Sequence, residues 1–400
     1  AFDQKKASGL VKSYGTFTAD SASAHHCNAV AGFAAGEYDN TTDPDTIMGV
    51  AFEAGLHFAD WKSSTAINEL YWADYQANAI NDASNYNAIA HNNSWGHPTN
   101  VSEMNVQIAN NPGFTTKQIL TTVLNGGAGS QNVSTDANAV ASFDRYVAAL
   151  NNFQDHGIIV FSLGNDTAES DAGWNAGLPE WEPTLGEAWL SVGVFQNTGS
   201  TLAQGTITRK GNPCGTTAPY CVFLDGWRIG YAQHFDGGVS NYTDGSCCFG
   251  SSWTAPIVSG GIAILAQAFP NHTPEQLTDR ILATANNTYF THTGNVEFVN
   301  GIRHGYNTEF GHGTPDLYKA MSPVLTSMTT LMTPVGNTIY RNGGSGSGFS
   351  PKSTYIVLTN SFGNTILNQL SNKNFYFYDA LNGGFKVPFS DQILKNNSDL

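Results

Sequence analysis

The chain has 400 residues, 40% of them hydrophobic and 12% charged, and its 17 Lys and Arg against 32 Asp and Glu give a formal net charge of −15 at pH 7. This length supports a sizeable core in one large domain or in two to three smaller ones. Because phosphate contacts need clustered Lys and Arg, the acidic balance argues against nucleic acid as a partner, and no apolar run is long enough to span a bilayer.

Strand-like and helix-like segments alternate along the first three quarters of the chain. Apolar runs that end in turn residues predict strands within residues 87–96, 156–166 and 189–195. Residues 134–153 and 272–285 instead begin with capping residues and place apolar side chains at helical spacing. Such alternation predicts an α/β three-layer sandwich whose central sheet is mostly parallel, with ligands at the carboxyl ends of the strands.

The composition changes after residue 322, where Thr, Asn, Gly and Ser become frequent and helical periodicity is lost. Residues 343–348 are predicted to form a flexible linker or open loop. Short β-like segments follow at residues 354–364, 375–381 and 385–389. We therefore predict one domain over residues 1–322 and a Gly/Ser/Asn-rich linker with a small β-rich extension over residues 323–400.

The cysteines bear on whether the protein is exported to an oxidising compartment. Cys214 and Cys221 bracket the segment CGTTAPYC, whose Gly, Pro and Thr favour a turn that brings the two sulfurs into range of a disulfide. Metal binding is the alternative, but no His lies nearby with ligand spacing. A disulfide is the preferred interpretation and implies an exported protein. The sequence leaves the state of the other cysteines open; they are Cys27, Cys247 and Cys248.

Three polar residues in separate segments have side chains that could act together in one reaction. Ser252 lies where a loop turns into a long apolar helix, so the first backbone N–H groups of that helix point at whatever binds beside it. Asn165 ends a buried strand, and His26 precedes a helix of small residues. A serine nucleophile needs a base for its proton and donors for the developing oxyanion, and these residues are suited to those roles.

Six short segments occur in a fixed order along the chain. They are HCNAVAG, GVA, NSWG, GN, GSSWTAP and FGHGTPDLYKAM, at residues 26–32, 49–51, 93–96, 164–165, 250–256 and 310–321. In this order they resemble the subtilisin-like serine peptidases, the subtilases, over about the first 320 residues. The resemblance implies a subtilisin-like fold and cleavage of polypeptide substrates.

The resemblance also implies a role for each matching residue. Ser252 corresponds to the nucleophile and His26 to the general base and acid, while Asn165 and the Ser252 N–H correspond to the oxyanion donors. A further segment corresponds to the strand whose backbone pairs with the substrate; its residues are Ser94, Trp95 and Gly96.

The chain departs from the family pattern at two places. The resemblance implies a catalytic Asp at the end of the first sheet strand, and Asp3 is the candidate, unless residues 1–3 match a later part of that motif and the catalytic Asp lies outside this chain. Cys27 and Asn28 add bulk beside His26, where the family has small residues. The alternative to an enzyme is therefore a catalytically degenerate scaffold that serves as a surface adhesin or an assembly protein.

Within the family, the chain most resembles the passenger domains of outer-membrane autotransporters. The segment NPCGTTAPYC resembles their paired-cysteine loop, and residues 357–389 resemble the stretch that joins the passenger to a translocating β-barrel. This implies a secreted or cell-surface protein with a β-barrel or outer-membrane partner. Calcium is also implied, but no oxygen-rich loop stands out, so no metal ligands are assigned. A nucleotide-binding domain is disfavoured because the sequence has neither a P-loop nor a dinucleotide glycine pattern. The oligomeric state is not predicted.

Overall fold

The computed structural model describes residues 2–15, 22–38, 48–59, 71–126, 133–226, 231–235, 238–242, 249–324, 330–335, 338–341 and 374–388. The helices in these ranges are α1 (Asp3–Ala7), α2 (Ala22–Ala35), α3 (Trp72–Asn85), α4 (Val101–Asn110), α5 (Thr116–Gly126), α6 (Ala137–Gln154), α7 (Ser251–Ala268), α8 (Pro274–Thr284) and α9 (Leu317–Ala320). The strands are β1 (Val11–Tyr14), β2 (Leu56–Ala59), β3 (Ala90–Asn93), β4 (Ile158–Ser162), β5 (Trp189–Asn197), β6 (Ile207–Arg209), β7 (Cys221–Asp225), β8 (Tyr231–Phe235), β9 (Gly238–Tyr242), β10 (Gly294–Glu297), β11 (Arg303–Tyr306), β12 (Thr330–Val335), β13 (Thr338–Arg341), β14 (Asn374–Tyr378) and β15 (Gly384–Pro388).

The central sheet is mostly parallel, as predicted. Strands β3, β4, β5 and β7 lie side by side in that order and run in the same direction. The short strand β6 pairs with the end of β5 in the antiparallel direction. All five residues of β4 are buried, which explains why its sequence is a continuous apolar run rather than an alternating one.

Two hydrophobic cores lie on opposite faces of this sheet. Because successive side chains of a strand point to opposite faces, Ile159 and Phe161 of β4 pack into one core while Ile158 and Val160 pack into the other. The first core includes residues of α3, α4, α5 and α6, and the second includes residues of α7 and α8. Helices thus cover both faces of the sheet, and the predicted three-layer α/β sandwich is confirmed.

Helix ends predicted from capping residues lie where the sequence places them. Asp136 caps α6 by accepting a hydrogen bond from the Asn138 N–H at 2.9 Å. Thr273 and Gln276 form the predicted capping box of α8, in which each side chain accepts a hydrogen bond from the backbone N–H of the other residue. Both caps are local interactions within four residues, so the sequence alone was sufficient to locate them.

The C-terminal part contains a four-stranded antiparallel sheet in the order β13-β12-β14-β15. This agrees with a β-rich extension, and β14 and β15 overlap two of the three predicted β-like segments. The third segment, 354–364, and the predicted linker at 343–348 lie outside the described residues. The domain boundary at residue 322 remains a prediction.

A buried ion pair joins this C-terminal sheet to α8. Both oxygens of Asp379, which follows β14, accept hydrogen bonds from the Arg280 guanidinium at 2.7 Å, and both side chains are fully buried. The guanidinium also donates to the Ala320 carbonyl at 2.9 Å and lies over the ring of Phe269. Asp379 further accepts backbone N–H groups, including that of Val324 at 2.8 Å. The two charges thus compensate each other, and both terminal guanidinium nitrogens have acceptors, while the buried Nε of Arg280 has none among the described residues.

The predicted disulfide is present. Cys214 and Cys221 are bonded across a short 3-10 helix (Gly215–Tyr220), with their Cα atoms 6.0 Å apart. Cys27 lies in α2, whereas Cys247 and Cys248 lie outside the described residues. Among the helices described here, none combines the length and the apolar character needed to cross a bilayer.

Candidate active site

Helix α7 presents Ser252 at its amino-terminal end. Gly250 is the N-cap residue, and Ser252 is the second residue of the helix. The rest of α7 is anchored in the core on one face of the sheet. First-turn N–H groups have no intrahelical acceptor, so the Ser252 N–H is available to a ligand with negative charge.

Pro256 explains how this first turn is connected to the rest of the site. A proline lacks the N–H that would bond to the carbonyl four residues earlier, which here is the carbonyl of Ser252. The hydroxyl of Ser94 donates to that carbonyl instead, at 2.9 Å. In return, the Ser252 hydroxyl donates to the Ser94 carbonyl at 3.2 Å. This reciprocal pair places the predicted substrate-binding segment, Ser94 to Gly96, directly beside Ser252.

Asn165 lies at the same helix terminus. Its side-chain oxygen accepts hydrogen bonds from the Ser251 N–H at 2.8 Å and from the Ser251 hydroxyl at 3.0 Å. A Cβ on Gly250 would lie 3.3 Å from the Asn165 amide nitrogen. Because the oxygen is held by Ser251, the amide nitrogen of Asn165 and the N–H of Ser252 remain as donors at one end of α7. The structure therefore brings Asn165 and Ser252 together.

The loop that carries Asn165 depends on Gly164 and Asn212. Gly164 has a φ of +114°, and a Cβ there would lie 2.5 Å from the Asn212 side-chain oxygen, so glycine is required. Asn212 is buried; it accepts from the Asp166 N–H at 3.1 Å and donates to the Asp171 carbonyl at 3.0 Å. Asn212 was not predicted from the sequence. No local pattern marks it, because both of its partners lie more than 40 residues away.

His26 is the fifth residue of α2 and does not precede the helix, so that expectation was wrong. Helix α2 begins at Ala22, because the alanines before His26 favour helix as strongly as the small residues after it. The half-buried imidazole packs against the indole of Trp253, with ring centroids 5.1 Å apart and an angle of 40° between the planes. Burial lowers the pKa of His26 below its ordinary value, which favours the neutral imidazole.

Ser252 is not hydrogen-bonded to His26 in this conformation. Within the described ranges, no hydrogen bond joins the His26 ring to Ser252, whose hydroxyl donates to Ser94. Trp253 contacts His26 and is the neighbour of Ser252 along the chain, so the two residues lie in the same region. Catalytic hydrogen bonds are often long or absent before substrate binds. The roles of His26, Ser252 and Asn165 remain predictions.

Asp3 does not lie at the end of a strand. It is the first residue of α1, and its side chain lies outside the described part. The first strand is β1, which has the sequence Val-Lys-Ser-Tyr and pairs in parallel with β2. Gly15 follows it, so this strand end carries no carboxylate. Among the described residues, no carboxylate is hydrogen-bonded to His26, and the assignment of Asp3 remains a prediction.

A second imidazole has the carboxylate partner that His26 lacks in the described structure. His57 of β2 forms a hydrogen bond with Asp82 of α3 at 2.7 Å, and its ring packs near Tyr86. This pair was not predicted from the sequence, because it depends on how β2 packs against α3. Its described hydrogen bonds include no serine hydroxyl, so this geometry lacks a nucleophile.

The implied calcium is not matched by a cluster of acidic side chains in the described residues. In those ranges, no three or more His, Cys, Asp or Glu side chains are grouped so that they could hold a metal ion. Calcium ligands therefore remain unassigned.

Comparison with protein families gives one match over most of the chain. The model of the subtilase family matches residues 3–313. Fervidolysin from Fervidobacterium pennivorans is 27% identical over 178 residues, which are 42% of this chain and 22% of that protein. The chain therefore spans about a fifth of the length of this curated relative.

Solved structures that are similar to this chain include three with low sequence identity. The patellamide maturation protease PatA is 16% identical, with 78% of this chain and 88% of that one covered and a TM-score of 0.46. MycP1 with the N-terminal propeptide removed is 19% identical, with 74% and 80% covered and a TM-score of 0.44. The fervidolysin structure is 19% identical, with 80% and 42% covered and a TM-score of 0.45.

Proposed function

Because the chain belongs to the subtilase family, we propose that it is a serine endopeptidase whose nucleophile is Ser252. One observation carries this proposal. Asn165 uses its side-chain oxygen to bind Ser251, which leaves its amide nitrogen and the Ser252 N–H as donors beside the Ser252 hydroxyl. Such donors stabilise the negative charge that develops when a hydroxyl attacks a carbonyl.

The proposed reaction proceeds in two steps. The Ser252 hydroxyl turns away from the Ser94 carbonyl and gives its proton to the His26 ring while its oxygen bonds to the peptide carbonyl carbon. The oxyanion accepts hydrogen bonds from Asn165 and the Ser252 N–H, and the C–N bond breaks as the imidazolium protonates the leaving amine. Water, deprotonated by His26, then attacks the acyl-enzyme, and the proton returns to Ser252.

An extended polypeptide is the proposed substrate. The segment Ser94 to Gly96 follows β3 without regular pairing of its own, and Gly96 is exposed. The Ser94 carbonyl is positioned beside the nucleophile and is the acceptor for a substrate N–H. Pairing with a substrate backbone gives affinity without demanding a particular side chain.

We further propose that the protein works outside the cytoplasm, as a secreted or cell-surface passenger of an autotransporter with a β-barrel partner. The disulfide between Cys214 and Cys221 supports an oxidising compartment. The β-strands within residues 330–341 and 374–388 support the resemblance to the stretch before a translocator.

A second candidate function, a catalytically degenerate scaffold, is favoured by a specific observation. Strand β1 ends without a carboxylate, and in the described part of the chain His26 has no acidic partner. Such a scaffold would serve as a surface adhesin or an assembly protein. It predicts a folded protein that hydrolyses no peptide.

A fluorophosphonate probe distinguishes the two candidates, because it reacts covalently with an activated serine. We expect labelling of the full chain, its loss in Ser252→Ala, and a fall in peptide hydrolysis of about 10⁴-fold or more. Ser170→Ala, at an exposed serine of the loop after Asn165, is the control and should be labelled like the parent. Folded parent protein that takes up no probe and cleaves no member of a peptide library would establish the scaffold.

A further inference from the structure

Trp253 lies between two aromatic side chains of α2. Its indole contacts the His26 imidazole, with centroids 5.1 Å apart, and the Phe33 ring, with centroids 5.8 Å apart. His26 and Phe33 are seven residues apart, which is two helical turns, so they lie on the same face of α2. The indole therefore packs along that face and is joined directly to Ser252 through the backbone of α7.

A catalytic imidazole needs a group that fixes its orientation. In the usual arrangement a carboxylate does this by accepting a hydrogen bond from the ring. Strand β1 offers no such group, since its residues are Val, Lys, Ser and Tyr, and the described contact of the His26 ring is with Trp253. The tilted geometry at this distance is a favourable arrangement of two aromatic rings.

We infer that Trp253 is the positioning residue for His26, holding the imidazole toward Ser252 by ring packing. This inference rests on the proposed function. The indole covers one face of the imidazole and limits its rotation, and because Trp253 is adjacent to Ser252, any shift of α7 moves the nucleophile and this contact together. The lowered pKa of His26 agrees with such cover, because burial disfavours the charged ring.

The test compares Trp253→Leu, which removes the ring, with Trp253→Phe, which keeps one. The first measurement is NMR of the full chain labelled with ¹³C-histidine, with the His26 signals assigned through His26→Gln. The indole ring current displaces these signals in the parent protein. We expect the displacement to be largely retained in Trp253→Phe and lost in Trp253→Leu.

The second measurement is peptide hydrolysis. We expect Trp253→Leu to lower kcat by about 10- to 100-fold, the range for a misplaced catalytic group, with KM within about twofold of the parent. Trp253→Phe should restore most of the loss. The control is Trp181→Leu, because Trp181 packs against the core on the opposite face of the sheet.

Each outcome decides one question. Unchanged His26 signals in Trp253→Leu, or an equal fall in kcat in Trp181→Leu, would overturn the positioning role of Trp253. A parent protein that shows the ring-current displacement but no turnover would overturn the proposed function instead, while leaving the contact between the two rings established. Thermal unfolding of each variant identifies any substitution that acts by unfolding the chain.

Discussion

At the scale of single residues, the amino-terminal turn of α7 brings together side chains that are far apart in the sequence. Ser94 and Asn165 lie 158 and 86 residues before their partners Ser252 and Ser251. Ser94 holds the turn with its hydroxyl and its carbonyl, whereas Asn165 holds it with its side-chain oxygen and keeps its amide nitrogen available. Under the proposed function, the same side chain has a structural oxygen and an oxyanion-binding nitrogen, and substitution can separate the two.

The substitution Asn165→Asp keeps the side-chain oxygen and removes the amide nitrogen. The aspartate retains an oxygen for the Ser251 N–H but replaces the amide donor with a negative atom beside the developing oxyanion. We expect kcat to fall by about 10²- to 10³-fold with little change in KM, as for the loss of one oxyanion donor. Steady-state kinetics on a peptide substrate measures it. Asn110→Asp, at the exposed end of α4, is the matched control, and equal kcat in the two variants would remove Asn165 from the mechanism.

At the scale of secondary-structure elements, the sequence predicted what depends on neighbouring residues. The capping box of α8 and the buried run of β4 were both located, because a cap spans four residues and a strand buried on both faces must be apolar throughout. The start of α2 was misplaced, since alanines carry no start signal. The contact between Trp253 and His26 was missed because it follows from the packing of α2 on α7, which periodicity does not encode.

Two stacked histidines, His304 in β11 and His312 in the turn that follows, predict a pH-dependent stability. His304 and His312 stack with their Nδ1 atoms 2.9 Å apart, and the other ring nitrogens face the carbonyls of Ala285 and Pro219. Burial, and then the neighbouring His304, lower the pKa of His312 to about 3. Burial also lowers the pKa of His304; the smaller contributions to this lowering come from His292 and Lys319.

The sign of the effect follows from proton linkage. The ordinary pKa of His312 is 6.5, so between pH 6.5 and about 3 the unfolded chain binds a proton that the folded chain does not. The contribution of neutral His312 to the free energy of unfolding is therefore fully present above pH 6.5. It decreases as the pH falls below 6.5, by at most about 1.4 kcal/mol per pH unit for one such group.

Urea unfolding at pH 7.0, 5.5 and 4.5 measures this effect. As the pH is lowered from 7.0 to 4.5, we expect the free energy of unfolding to decrease less in His312→Asn than in the parent, whatever the difference between the two proteins at pH 7.0. The exposed His156→Asn is the control and should keep the parent slope. Parallel slopes in all three proteins would show that His312 takes no part.

At the scale of the whole molecule, the family and the fold agree. The chain belongs to the subtilases, and its parallel sheet with helices on both faces is the subtilisin-like fold that the six ordered segments predicted. What the sequence did not predict is how the C-terminal β-rich part joins this body. That junction includes the ion pair of Arg280 and Asp379, whose partners are 99 residues apart and carry no local signal.

Removing one partner of this pair leaves a buried charge without compensation. We expect Asp379→Ala to lower the free energy of unfolding by about 3–5 kcal/mol. The control is Glu297→Gln, which removes the exposed pair of Arg303 and Glu297 and should change stability by less than about 1 kcal/mol. Denaturant unfolding measures both. Similar values for the two variants would mean that the buried pair contributes no more to stability than the exposed one.

If Ser252 is the nucleophile, as proposed, its reciprocal hydrogen bonds with Ser94 have a consequence for how it is activated. Without substrate, the Ser252 hydroxyl donates to the Ser94 carbonyl. The backbone N–H of an extended peptide would donate to the same carbonyl. A substrate N–H therefore competes with the Ser252 hydroxyl for the Ser94 carbonyl. When the substrate displaces the hydroxyl, the hydroxyl can turn and donate to the His26 imidazole. Binding of the substrate backbone and activation of Ser252 then occur together. A small ester, which has no amide hydrogen to displace the hydroxyl, would be hydrolysed poorly even if it fits the site.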